Sequence, residues 1–133
     1  MTDDVVRNKA AAIERCLSRV REEFRDDPAR LDDQTVQDAI VLNLQRACES
    51  AIDLAMPVVA SERLGVPQES REAFTLLEEV GRIDAGTADA MRRMVGFRNV
   101  AVHDYQALSL PILLSILEKN LGDFHALLKA LLR

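Results

Sequence analysis

The sequence predicts an all-α protein, an up-and-down four-helix bundle with one additional short helix. Three observations predict it. Apolar residues recur at helical spacing along nearly the whole chain, and no convincing strand alternation appears. Aromatic residues are only 4% of the chain and Trp is absent, against 48% hydrophobic residues, so Leu, Val, Ile and Ala must build the core, as in helix bundles. The periodic segments are long and their connections short, the pattern of antiparallel helices packed side by side.

The first helix is expected over about 3–25. Val6, Ala10, Ile13, Leu17, Val20 and Phe24 step by fours and threes along one face, and the stretch DDPAR, with Pro28, ends it. The second opens at Asp32 or Asp33, both good N-cap residues. Its stripe of Val36, Ile40, Leu44, Ala47, Ala51, Leu54 and Val58 is widened by Ala39, Cys48, Ile52, Ala55 and Val59. It reaches toward Arg63 with a kink near Pro57, and so broad a stripe predicts burial on two sides, against the bundle and against a partner subunit. LGVPQES reads as a loop, with Ser70 capping a short third helix that carries Phe74, Leu77 and Val80 and ends at Gly81. DAGT opens a fourth helix with Met91, Met94, Val95 and Phe97, the two methionines read as core. The last helix is expected over about 109–132, with Pro111 in its first turn and Leu110, Leu113, Leu117, Leu121, Phe124, Leu128 and Leu131 facing inward.

A chain of 133 residues fits one domain, taken as 1–133, and buries roughly two-thirds of its unfolded surface without disulfide or metal. Cys16 and Cys48 sit in apolar stripes with no second Cys or His at ligand spacing, which reads as buried, reduced thiols of a cytosolic protein. The N-terminus lacks the apolar core of a signal peptide, and no apolar run approaches a membrane span. A formal net charge of −5 argues against a general nucleic-acid coat, so any RNA-binding surface must be local.

Chemistry concentrates in residues 94–106, MVGFRNVAVHDYQ, where Arg98, Asn99, His103, Asp104 and Tyr105 follow an apolar stretch. Arg98 and His103 are separated by about 140° on an ideal helix and converge better if the helix loosens at its end. Arg98 and Tyr105 fall on nearly the same face of such a helix. Attack by a ribose 2′-OH on its own phosphate needs a base, an acid for the leaving oxygen and positive charge on the phosphorane. Histidine suits the proton transfers, and an arginine fork matches phosphate oxygens. Asn99 would hydrogen-bond a phosphate or orient the imidazole. One histidine cannot readily be acid and base in a single step, whereas a symmetric dimer supplies two. The spacing is equally that of an Arg and a His which satisfy the last carbonyls of a helix and its dipole.

Other polar residues stay open in the same way. Arg46, Glu49 and Asp53 on the second helix either line a cleft or, for Arg46 and Glu49, form an ordinary intrahelical pair. Arg92 and Arg93 either extend a phosphate track or face solvent. Asp104 reads as a capping or solvated residue, and His125, beside Asp123, as a surface residue.

Arg98-Asn-Val-Ala-Val-His103-Asp-Tyr105 resembles the Arg-x(4–6)-His motif of HEPN proteins, in the Arg-x4-His-x-Tyr form of the HepT (DUF86-type) toxins. The long second helix DDQTVQDAIVLNLQRACESAIDLA, the Gly-Phe before Arg98 and the apolar final helix fit the same resemblance, which covers essentially the whole chain. It implies a HEPN-fold, cytoplasmic, metal-independent endoribonuclease that needs no cofactor and acts as a homodimer across a shared cleft, on tRNA or mRNA rather than DNA. It assigns Arg98 and His103 as catalytic, with Asn99 supporting. It further implies a minimal nucleotidyltransferase antitoxin that transfers AMP from ATP to Tyr105. The competing expectation is a non-catalytic module that binds such a nucleotidyltransferase and cuts nothing.

Overall fold

The computed structural model describes residues 2–132; Met1 and Arg133, the ends of the expected domain and of the last segment, lie outside the described residues. No strand occurs among the described residues. Helix α1 spans Thr2–Phe24, and all six residues of its expected stripe are buried. Arg25 and Asp26 then take left-handed backbone conformations, which reverse the chain. Asp27 accepts from the Ala29 N–H and opens a 3₁₀ turn, Pro28–Asp32, whose Leu31 is buried.

Helix α2 spans Gln34–Ser61. Asp33 caps it, its carboxylate accepting from the Thr35 and Val36 N–H groups. The helix is continuous through Pro57, where the ring removes one donor from the ladder. Residues from Ile40 to Val59 on the wide stripe are buried, because α1 packs along one side of α2 and α3 and α4 along another.

Helix α3 spans Ser70–Glu79 and departs from expectation at both ends. Glu69, not Ser70, is the N-cap residue and makes no side-chain cap bond, which leaves the Ser70 hydroxyl for another partner. Val80, expected inward, is 54% exposed. Gly81 turns with φ +76° while the Arg82 N–H bonds back to the Leu77 carbonyl, so the chain peels outward at Val80.

Helix α4 spans Ala85–His103, capped by Asp84 on the Thr87 N–H at 2.7 Å. Met91, Met94, Val95, Phe97 and Ala101 point inward. A 3₁₀ turn, Tyr105–Ala107, leads to α5, Leu110–Ser115, capped by Ser109 with Pro111 in its first turn. The expected single final helix is interrupted by a π-helical turn, Ile116–Asn120, before α6, Leu121–Leu131. The wider turn lets the adjacent Ile116 and Leu117 both bury. Leu110, expected inward, is 45% exposed at the open start of α5. The buried side chains of α1, α2, α3, α4, α5 and α6 form one continuous core, with α6 seated against α4, α1 and α2. No described helix is long and apolar enough to cross a membrane.

Candidate active site

The outward half of α4 carries the candidate chemistry, and its rigidity comes from the inward half. Met94, Val95, Phe97 and Ala101 anchor the helix in the core, while Arg98 and Asn99 are half-buried and His103 is exposed in the last turn.

Arg98 projects toward the start of α3. Its Nη2 reaches the Ser70 Oγ at 3.5 Å, and its buried Nε has no hydrogen-bond partner. Among the described residues no carboxylate lies within ion-pair distance of it. A cavity of about 250 Å³ opens there, lined by Glu69, Ser70, Arg71, Val95, Arg98 and Asn99. Arg71 adds a second guanidinium, its Nε donating to the Arg92 carbonyl at 3.3 Å. Gly96 makes room for it: a Cβ at that position would stand 2.9 Å from an Arg71 Nη2. Arg98 also acts on the buried Cys48 of α2, whose thiol burial pushes far up while the guanidinium draws it the other way. Both cysteines are free, Cys48 buried as expected and Cys16 on α1 only partly so, and no His, Cys, Asp and Glu cluster able to hold a metal occurs among the described residues.

Helix α4 does not loosen before His103; the Asp104 N–H still bonds the Val100 carbonyl at 2.8 Å. Within one chain Arg98 and His103 therefore make no hydrogen bond, and the five-residue spacing keeps its angular separation. The expectation that Arg98 and Tyr105 share a face is corrected as well. Asp104 leaves the helix at φ −156°, ψ 66°, and Tyr105 begins a separate turn directed at α2. There its hydroxyl donates to Asp38 Oδ1 at 2.5 Å. The cleft around this bond, about 700 Å³, is lined by Gln34, Gln37, Asp38, Tyr105, Gln106, Leu108 and Leu110. Partial burial and the adjacent carboxylate raise the Tyr105 phenol well above its usual range. The bonds from Tyr105 and Gln34 hold Asp38 below the usual carboxylate range.

The residues expected along α2 do not converge on Arg98. Asp53 faces α1 and pairs with Lys9 at 3.4 Å. Arg46 is exposed on the α1 side, where its charge lowers the Cys16 thiol against the larger effect of burial. Glu49 accepts from Gln45 at 3.5 Å, so the intrahelical partner is not Arg46. Arg92 is not part of a free track: it bonds Glu78 at 3.0 Å and Asp89 at 2.5 Å. Arg93 is exposed beside an apolar groove of about 420 Å³ lined by Gly96, Phe97, Val100 and Ile112, among others. His125 is a partly exposed surface residue, as expected, with partners on α1. Its Nε2 meets an Arg21 Nη2 at 3.0 Å and its Nδ1 faces Glu14 at 3.2 Å, which ties α6 to α1.

Ser70, Arg71 and Asp38 are the site residues that sequence reasoning missed. Ser70 carried the signal of a cap, Arg71 that of a solvated helix start, and Asp38 lies far from Tyr105 in sequence.

Known proteins resemble nearly the whole chain. The profile of a family described as Ribonuclease HepT-like matches residues 10–131. The chain is 42% identical over 123 residues, 92% of each sequence, to a protein of Shewanella oneidensis named mRNA nuclease HepT. Among solved structures, a tri-AMPylated Shewanella oneidensis HEPN toxin in complex with MNT antitoxin superposes with a TM-score of 0.90 at 41% identity, over 96% of both chains. A toxin–antitoxin structure with AMP-PNP gives a TM-score of 0.90 at 40% identity, over 96% of this chain and 98% of that one. On sequence and fold together, this chain belongs to the HepT-like family of HEPN ribonucleases.

Proposed function

We propose that the protein is a cytoplasmic ribonuclease toxin of a toxin–antitoxin pair, and that residues 1–133 act as a single domain. α1, α2, α4 and the α5–α6 segment form its up-and-down four-helix bundle, with α3 attached. Two copies pair so that Arg98 and His103 of each chain face across one cleft. The guanidinium neutralises the scissile phosphate of an RNA, with Asn99 beside it. One imidazole withdraws the 2′-OH proton, the other protonates the leaving 5′-oxygen, and the product keeps a 2′,3′-cyclic phosphate. These steps need neither metal nor cofactor.

The observation that carries this reading is Arg98 itself. It is a half-buried guanidinium that no carboxylate among the described residues pairs with, and it has a buried donor left over, beside a second guanidinium at Arg71. That arrangement costs the free chain stability and suits an anion that arrives from outside. Exposed Val100, Val102, Leu110 and Ile112 surround the motif with apolar surface, which supports a second copy covering it. The relatives, one named an mRNA nuclease and one a HEPN toxin in complex with MNT antitoxin, support the activity and the partner.

In the same reading, a nucleotidyltransferase antitoxin places AMP on Tyr105, the sole tyrosine, and neutralises the toxin by bulk and negative charge. The deciding experiment incubates purified protein with RNA in EDTA. Cleavage leaving cyclic phosphate ends is expected, with loss in His103→Ala. Full cleavage by His103→Ala would overturn the mechanism.

A further inference from the structure

We propose that Asp38 is the general base for adenylylation of Tyr105, so that the acceptor chain supplies part of the catalytic machinery for its own modification. This rests on Tyr105 being the acceptor. It adds a residue on a different helix, which that reading leaves without a role.

The argument begins with the hydroxyl. Tyr105 sits just past α4, and its Oη donates to Asp38 Oδ1 at 2.5 Å. Its reacting oxygen thus already has its proton directed at a carboxylate, with lone pairs left for an electrophile. Asp38 is itself held in place. It lies near the start of α2, and Gln34 donates to the same Oδ1 at 2.8 Å. The cleft over this pair is open and large enough for part of a nucleotide. Asp38 is the one charged side chain among those lining it; the rest are Gln34, Gln37, Gln106, Leu108, Leu110 and the tyrosine. The amides offer donors and acceptors without competing for the proton.

The chemistry requires such a group. Burial and the neighbouring carboxylate keep the phenol protonated at neutral pH, while the bonds it receives keep Asp38 ionised. Attack must therefore shed a proton on the way. The Tyr105 Oη forms a bond to the α-phosphorus of ATP as the bond from that phosphorus to the bridging oxygen of pyrophosphate breaks. The phenolic proton passes to Asp38 Oδ1, pyrophosphate leaves carrying the electron pair, and Asp38 later returns the proton to water. An aspartate that takes a hydroxyl proton during phosphoryl transfer is an established device of kinases, where the enzyme provides it.

A second consequence concerns the product. Once Oη carries the adenylyl group it has no hydrogen to donate, and the reionised Asp38 faces a phosphodiester anion. The bond that tied Tyr105 to α2 becomes a repulsion, so the modified side chain leaves the position from which the reverse reaction would start.

The test uses full-length protein with its nucleotidyltransferase, Mg²⁺ and ATP, following intact mass with time across a pH series. Asp38→Asn keeps an acceptor oxygen but no base. It is expected to slow the first adenylyl addition by about 10²-fold at neutral pH. Its rate should climb about tenfold per pH unit as phenolate forms, whereas the wild-type rate stays level through neutrality. Asp38→Glu is expected to recover part of the rate, and far-ultraviolet circular dichroism and melting temperature check that both variants fold. Wild-type rate and pH profile in Asp38→Asn, or equal loss in Asn and Glu variants, would overturn the role of Asp38 alone. Wild-type protein that gains no adenylyl group, or Tyr105→Phe that gains it equally, would remove the acceptor assignment and Asp38 with it.

Discussion

Arg92 and Arg98 occupy the same helix and meet the same short helix α3, yet their surroundings are opposite. Arg92 bonds Glu78, Asp89 and the Thr75 hydroxyl, and its charge is met on several sides. Arg98 has one long contact, to the Ser70 hydroxyl, and a buried Nε with nothing to donate to. A guanidinium of the first kind fastens two helices. One of the second kind is an expense in the free protein, because a desolvated donor without a partner costs about 1–3 kcal/mol. On the proposed reading, the contrast separates an arginine kept for structure from one kept for an incoming anion more clearly than exposure does, since both are only partly accessible.

The comparison breaks most sharply on substitution. Arg98→Met is expected to lower RNA cleavage by about 10²–10³-fold while its melting temperature holds or rises, because the orphaned donor disappears into an apolar side chain of similar length. Arg92→Met should do the reverse, losing about 0.5–1 kcal/mol of stability with cleavage largely intact. Parallel RNA digestion and thermal melts on both variants decide it; equal effects on the two readouts would dissolve the distinction.

Gly96→Ala sharpens the picture from the side of Arg71. Alanine favours a helix interior over glycine by roughly 0.5–1 kcal/mol, but the added methyl displaces the Arg71 guanidinium end. Stability should be unchanged or slightly higher and cleavage several-fold lower, a combination that simple loss of packing would not produce.

The smallest expected effect is in the pH dependence of stability. Asp38 has its folded pKa depressed, so its contribution is present above the unfolded carboxylate value near 4 and fades as pH falls through the folded one. Tyr105 has its folded pKa raised, so its contribution is present below the unfolded phenol value near 10 and fades as pH rises beyond it. Melting curves of Tyr105→Phe against wild type should converge at both extremes and differ only slightly between them. A difference that stays constant across pH would mean that the Tyr105–Asp38 bond contributes nothing.

The helices were legible because their signals are local. The α1 stripe from Val6 to Phe24 is buried as its spacing requires, and Asp33 caps α2 as its type suggests. The family was legible for a similar reason: Arg98, His103 and Tyr105 fall within a few positions of one another. Distant pairings were not. Nothing near Ser70 announces Arg98, nothing near Asp38 announces Tyr105, and Gly96 shows its purpose only once Arg71 is laid across it. The ends of elements failed where one backbone turn redirects a side chain, as Gly81 does for Val80 and Asp104 for Tyr105. The π turn was hidden because both adjacent apolar residues, Ile116 and Leu117, fit an ordinary helical stripe.

Helix α4 divides its circumference between two duties, with Met94, Phe97 and Ala101 inward and Arg98, Asn99 and His103 outward. Changes on the outward half leave the inward half free to fold the chain. On the proposed assignment of those outward residues, escape for a cell poisoned by such a protein is a single codon away, and the silenced chain would persist as an intact decoy, still shaped to occupy whatever normally restrains its active form.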